Sequence, residues 1–303
     1  MNEVYKIRTK SFIKKLVIKL PKFLFGGGKL MDEYLNKIKY EIISENKDSK
    51  EKQKNWNIAF GLQEVDNLTP SKYMVDLAKE NIVGNKSYQN VEEELANYYN
   101  MQDEKSINKN EKQADEVSIR IVKILNDKAF TFNYLALKQY HKKLFEDIDI
   151  GIDKKYIGNF RDYNITKSEP ILGGESVQYA DYSMIEETLK YDFNEEENQK
   201  YVTMTDDEKI NRLCTFVSNI WQVHPFEEGN TRTTAIFIQK YLISKGFNVN
   251  NDLFKDNSLY FRNALVKANY SNINKGIEED KIYLKLFFEN LLLGKDNKLD
   301  INN

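Results

Sequence analysis

Two apolar helices joined by a short loop constrain this fold more than any other feature of the chain. Thr205 and Glu208 stand at capping-box spacing, and apolar side chains follow at Ile210, Leu213, Cys214, Val217, Ile220 and Trp221. That i, i+3, i+4, i+7 series buries one helical face, and Pro225 stops the helix just past His224. A second helix is predicted from about Asn230 to Gly246, a residue suited to a C-cap. Its TTAIFIQKYLISKG is apolar nearly all round, so it belongs at the centre of a core. The intervening HPFEEG is then a tight loop on a rigid mount, which suits chemistry.

The rest of the chain reads as mostly helical. Glycine (13) and proline (4) are scarce for 303 residues, and these are the residues that punctuate strands and turns. Periodicity predicts a helix within 31–54 that runs into a polar loop. Further helices are predicted over 70–81, 87–100, 112–126, 131–147, 257–270 and 278–294. One stretch differs. At 165–180, Ile171-Leu172 and Val177 with Tyr179 flank Gly173-Gly174, the best hairpin signal in the chain. Ser183 with Glu186 reads as a capping box for the helix that follows. The expected class is all-α (mainly helical) with a small β-hairpin near residues 165–180.

Charge and cysteine usage exclude some classes. A net charge of −2 gives no global positive field to hold nucleic acid. A single cysteine, Cys214, excludes an internal disulfide framework and makes the cytoplasm the default location. Residues 1–30 carry eight Lys/Arg and one Glu, with lysines interrupting every apolar run. They read as a basic N-terminal arm before the Gly26-Gly27-Gly28 hinge, neither signal peptide nor transmembrane helix. Residues 31–110 form an N-terminal helical region and 111–303 a core.

The loop concentrates chemistry. Gly229-Asn230-Thr231 opens a helix, where the first turn leaves backbone N–H groups unpartnered and the dipole adds positive charge. Such a start is an anion site, and Gly229 lets a ligand approach the backbone closely. Arg232 can fork onto a phosphate oxygen. Glu228 beside a phosphate is repulsive unless a cation lies between them, which suggests Mg²⁺ on a polyphosphate. His224, one of only two histidines, is the loop's base and can take a proton from an attacking hydroxyl. Phe226 is expected to point inward and anchor the loop.

HPFEEGNTRTTA resembles the signature of the Fic family, H-P-F-x-D/E-G-N-x-R-x-x-R. The resemblance extends over about residues 110–295 and implies a helical core bearing a β-hairpin flap. It implies a protein adenylyltransferase that moves AMP from ATP to a Ser, Thr or Tyr hydroxyl of a target protein, with self-modification among the outcomes. On that resemblance His224 is the general base, Glu228 holds Mg²⁺ and Gly229, Asn230 and Thr231 form the anion hole. Asn230 then meets the α-phosphate and Arg232 the β/γ end. The target docks along the flap, Lys167–Tyr179. Tyr260 and Asn263 are candidates for an adenine pocket.

The chain departs from the family pattern in two ways. Ala235 stands where the second arginine falls. The family's inhibitory motif, S/T-x-x-x-E-G/N, has its nearest echo in Asp76–Asn81, with Asp for Ser/Thr and with Glu80 and Asn81 as candidate inhibitory residues. Other expectations stay open beside AMP transfer: movement of UMP or phosphate, removal of AMP, or a silent nucleotide-binding scaffold.

Overall fold

The computed structural model describes residues 47–249 and 252–301. The basic arm at 1–30 and the first part of the helix expected at 31–54 lie outside the described residues. Ten α-helices follow one another among the described residues. They are α1 (Lys47–Gly61), α2 (Lys72–Val83), α3 (Tyr88–Asn100), α4 (Lys109–Asn126) and α5 (Leu135–Phe145). After a long irregular stretch come α6 (Ile185–Glu197), α7 (Asp206–Val223), α8 (Asn230–Ser244), α9 (Asp252–Ala268) and α10 (Ile282–Leu293). No helix among the described residues is long and apolar enough to cross a membrane.

Local sequence explains several helix ends. Ser71 caps α2 by accepting from Met74 N, and Gly84 closes it in the left-handed region. Ser87 caps α3 in a reciprocal box with Asn90. Thr205 and Glu208 form the expected box on α7. Two ends differ from expectation. Ser183 is not a cap: Asp181 accepts from Ser183 N, and α6 starts at Ile185. The first described helix covers 47–61, and its residues 47–54 fall where a polar loop was expected. Tertiary burial overrides composition there, because Trp56, Ile58 and Ala59 are sunk in the core.

The hairpin expected at 165–180 is a correction. No strand occurs among the described residues, and the only isolated bridge is Asn272 with Ile277. Instead a single 3-10 turn spans Pro170–Leu172, closed by Gly173 at φ 65°. Pro170 has no N–H to give to a ladder, and the Glu169 carboxylate turns inward to Arg262. Backbone pairing is confined to the turn, through Glu169 N to Glu175 O and Gly174 N to Glu169 O.

Helix α8 is the centre of the molecule and is buried from Asn230 to Leu242. It packs against α5, α7 and α4. Its Phe237 and Tyr241 join Phe132, Phe193 and Phe216 in one aromatic cluster. The N-terminal helix α1 packs against α4 and α9, so the first described helix lies against the next-to-last.

Candidate functional site

The loop between α7 and α8 is held from three sides. Its entry is His224, the C-cap of α7, in the left-handed region at φ 47°. Its exit is Gly229, also left-handed at φ 74°. A Cβ on Gly229 would fall 2.4 Å from the Phe145 ring, so no other residue fits without repacking. The Asn230 side chain ties the loop internally: Oδ1 accepts from Phe226 N and Nδ2 donates to Phe226 O. Phe226 is fully buried, as expected of an anchor, and stacks on His141 at 4.0 Å.

Two side chains that sequence reasoning left out hold the loop from outside. His141 Nδ1 accepts from Gly158 N, which leaves Nε2–H to donate to Glu228 O at 3.0 Å. Burial pulls its pKa down to about 4, so it stays neutral. Arg161 donates to the carbonyls of His224, Tyr163 and Ala180, and its own N–H donates to Pro225 O. This one guanidinium therefore joins the loop to the stretch at 163–180. The available signal for His141 was rarity, since it is the chain's other histidine. Arg161 gave none, sitting among loop residues that look solvated.

His224 is 3 % exposed and lies beneath Tyr179, whose ring stacks on the imidazole at 4.1 Å. Its Nδ1 sits 3.3 Å from Trp221 O, which assigns the proton to Nδ1. Nε2 is buried and has no hydrogen-bond partner among the described residues. Burial, then the charge of Lys167, holds its pKa well below the ordinary value, so the imidazole is neutral. A neutral imidazole with an unengaged Nε2 is a base waiting for a proton.

Two adjoining cavities meet this loop. The larger, about 600 Å³, is lined among others by Asp66, Lys167, Glu228, Arg232, Arg262 and Asn263. Its size suits a small-molecule ligand. The smaller is lined by His224, Glu228, Asn230 and Thr231, with Asp66, Lys167, Glu169, Trp221 and Arg262. The expected residues His224, Glu228, Asn230 and Thr231 thus share one space, and Arg232 and Asn263 share the next. The first N–H groups of α8 have no intrahelical acceptor, and no N-cap side chain takes them.

The charges in this space are paired within the chain. Glu228 Oε2 accepts from Lys167 Nζ at 2.8 Å, and Oε1 accepts from Gly229 N. Burial works to raise the Glu228 pKa, but Lys167, the Gly229 N–H and Arg232 outweigh it and hold the carboxylate ionised. Arg232 lies over the Phe145 ring, with Nε 2.8 Å from Asp66 Oδ2 and Nη1 3.4 Å from Gln63 Oε1. Arg262 pairs with the buried Glu169. Among the described residues no three His, Cys, Asp or Glu gather into a metal cage. One carboxylate beside an anion site fits Mg²⁺ carried in on a polyphosphate, which needs few protein ligands.

Other expected residues lie elsewhere. Tyr260 donates to Tyr283 O and faces Phe287, lining neither cavity. Glu80 accepts from Asn85 on an exposed surface. Asn81 is buried and structural: it accepts from Trp56 Nε1 and donates to Lys86 O. Ala235 is buried in the core face of α8.

Residues 131–242 match the sequence profile of the Fic/DOC family, a segment that contains α5, the whole loop and most of α8. No curated protein matches the chain. Among solved structures it is similar to the N-terminal Fic domain of the VirB-translocated effector protein Bep8 from Bartonella sp. 1-1C. That pair shares 17 % identity and a TM-score of 0.45, over 62 % of this chain and 88 % of that one. It is also similar to the N-terminal Fic domain of a VirB-translocated effector from Bartonella sp. AR 15-3, at 19 % identity and a TM-score of 0.47. That match covers 63 % of this chain and 86 % of the other.

Proposed function

We propose that this protein is an adenylyltransferase that moves AMP from Mg-ATP to a Ser, Thr or Tyr hydroxyl of a target protein, itself included, and releases pyrophosphate. The observation that carries the reading is the unpartnered Nε2 of a neutral, buried His224, in one cavity with Glu228 and the uncapped start of α8.

The target hydroxyl gives its proton to His224 Nε2 as its oxygen attacks the α-phosphorus. The bond from that phosphorus to the bridging oxygen breaks, and pyrophosphate leaves with the electron pair. The N–H groups at the start of α8 receive the charge on the α-phosphate oxygens. Arg232 meets the β/γ end, which requires it to leave Asp66. Mg²⁺, when bound by Glu228 and the phosphates, supplies charge neutralisation there. Tyr179 lies on the imidazole, so a target reaches His224 only after this ring shifts. The target segment docks along Lys167–Tyr179, where backbone pairing would set its register.

The test uses ATP labelled at the α- or the γ-phosphate, with wild type and His224→Ala side by side. Label arriving from the α-phosphate only, and lost in the variant with its fold intact, is the expected result. A fully active variant sinks the reading. Label from the γ-phosphate alone makes the protein a kinase. A second reading, a nucleotide-binding scaffold without turnover, is favoured by the internal pairing of Glu228 and Arg232. ATP binding with no label from either position would support it.

A further inference from the structure

Helix α9 contributes a cation to the site that no motif announced. Leu259, Arg262 and Asn263 stand at i, i+3 and i+4 on one face, and all three line the larger cavity. Arg262 also lines the smaller cavity, together with His224, Glu228 and Thr231. It therefore sits at the junction of the two.

Three cations border this space, and they differ in how much they can offer a ligand. Arg232 has a side chain only 1 % exposed, set between Asp66, Gln63 and Phe145. Lys167 gives its ammonium to Glu228. Arg262 is 18 % exposed and meets Glu169 Oε2 through Nη2 at 2.8 Å. A guanidinium carries five N–H donors in a planar fork. Among the described residues no hydrogen bond engages the others.

Glu169 explains how the fork is held. Its carboxylate is buried, with Arg262 on one oxygen and the Tyr179 hydroxyl 3.3 Å from the other. Tyr179 in turn stacks on His224. One chain of contacts thus fixes the guanidinium relative to the imidazole. A donor fork held by a buried acid, open to a cavity that also contains a helix start, is the arrangement that binds phosphate oxygens.

We propose that Arg262 is a phosphate-binding residue of this site, taking non-bridging oxygens of a nucleotide's phosphate chain at the junction of the two cavities. This rests on the nucleotide reading above and names a residue outside the loop motif. Ala235 offers no charge, so on this reading α9 supplies a second arginine that the segment after the motif does not.

The test is equilibrium binding of adenosine, AMP, ADP and ATP, with Mg²⁺, to wild type, Arg262→Gln and Arg262→Lys. Removing Arg262 leaves Glu169 buried without its cation, so the paired variant Arg262→Gln/Glu169→Gln is measured beside them. The expected result is a loss of about tenfold to a hundredfold in affinity for the phosphate-bearing ligands in both Gln proteins. Adenosine binding stays unchanged, and Arg262→Lys recovers part of the loss. Unchanged ATP affinity in folded variants overturns the proposal while leaving the nucleotide reading intact. So does an equal loss for adenosine, which would make Arg262 a structural partner of Glu169. Failure of the wild type to bind any of the four overturns both.

Discussion

Arg232 is the residue whose surroundings differ most from what its position in the motif suggests. The arginine that the proposed reading assigns to phosphate is held by Asp66, which belongs to the turn after α1 and lies far away in sequence. On that reading the carboxylate and an incoming phosphate are rivals for one guanidinium. Asp66→Asn removes the rival charge but keeps the side chain's shape. Its unliganded melting temperature is expected to fall by a few degrees, because the buried Arg232 loses its partner. Its affinity for ATP is expected to rise by about threefold to tenfold, so that ATP raises its melting temperature more than it raises that of the wild type. A smaller ATP-induced shift in the variant would mean that Asp66 does not compete. Sequence reading offered Glu80 and Asn81 as candidate inhibitory residues; Glu80 is exposed and hydrogen-bonded to Asn85. The Asp66 contact had no sequence signal, since an ion pair across 166 residues depends on where α1, packed on α4 and α9, places the turn that follows it.

At the scale of elements, the placement of α2 depends on one buried acid. Asp115 of α4 accepts from Ser71 N, the Ser71 hydroxyl and the Tyr99 hydroxyl, so it holds the cap of α2 and the end of α3 together. Burial is the largest influence on its carboxyl and pushes its pKa up to about 6, against the pull of those donors. The folded value lies above the ordinary 3.8, so the folded chain keeps a proton that the unfolded chain has lost. Its stabilising contribution is therefore full below about pH 4 and is lost as pH rises through about 6. The stability of wild type minus that of Asp115→Asn should fall over this window, by at most on the order of 3 kcal/mol, and be flat above pH 7. A difference that is flat throughout would mean that the carboxyl titrates alike in both states. The helices themselves were legible because caps and periodicity are local: the Thr205–Glu208 box opens α7 as its spacing suggests. The stretch at 165–180 was misread because its apolar pairs pack on the core singly, without a ladder, and Pro170 starts a turn there. The loop motif was legible because its residues are contiguous; Lys167, Glu169 and Arg262 reach the site from two other segments.

At the scale of the whole molecule, the question is whether the helices before the family-matched segment melt with it or before it. The packing argues for one unit. Helix α1 lies against α4 and α9, and Trp56, 1 % exposed, donates to Asn81 of α2. Nature has placed a reporter on each side, for the chain has two tryptophans. Trp56 lies in α1, while Trp221 lies beside His224 and donates to Thr231. Trp221→Phe leaves Trp56 to report on the N-terminal helices, and Trp56→Phe leaves Trp221 to report on the site. In each variant the fluorescence midpoint in urea is expected to coincide with that variant's own far-ultraviolet circular dichroism midpoint, the mark of a two-state transition. Comparing each protein with itself removes the different cost of the two substitutions. A Trp56 midpoint clearly below the dichroism midpoint would instead make α1 and its neighbours a separate, weaker unit. In that event Asp66 could leave Arg232 by local opening, and the site could be freed without unfolding the core.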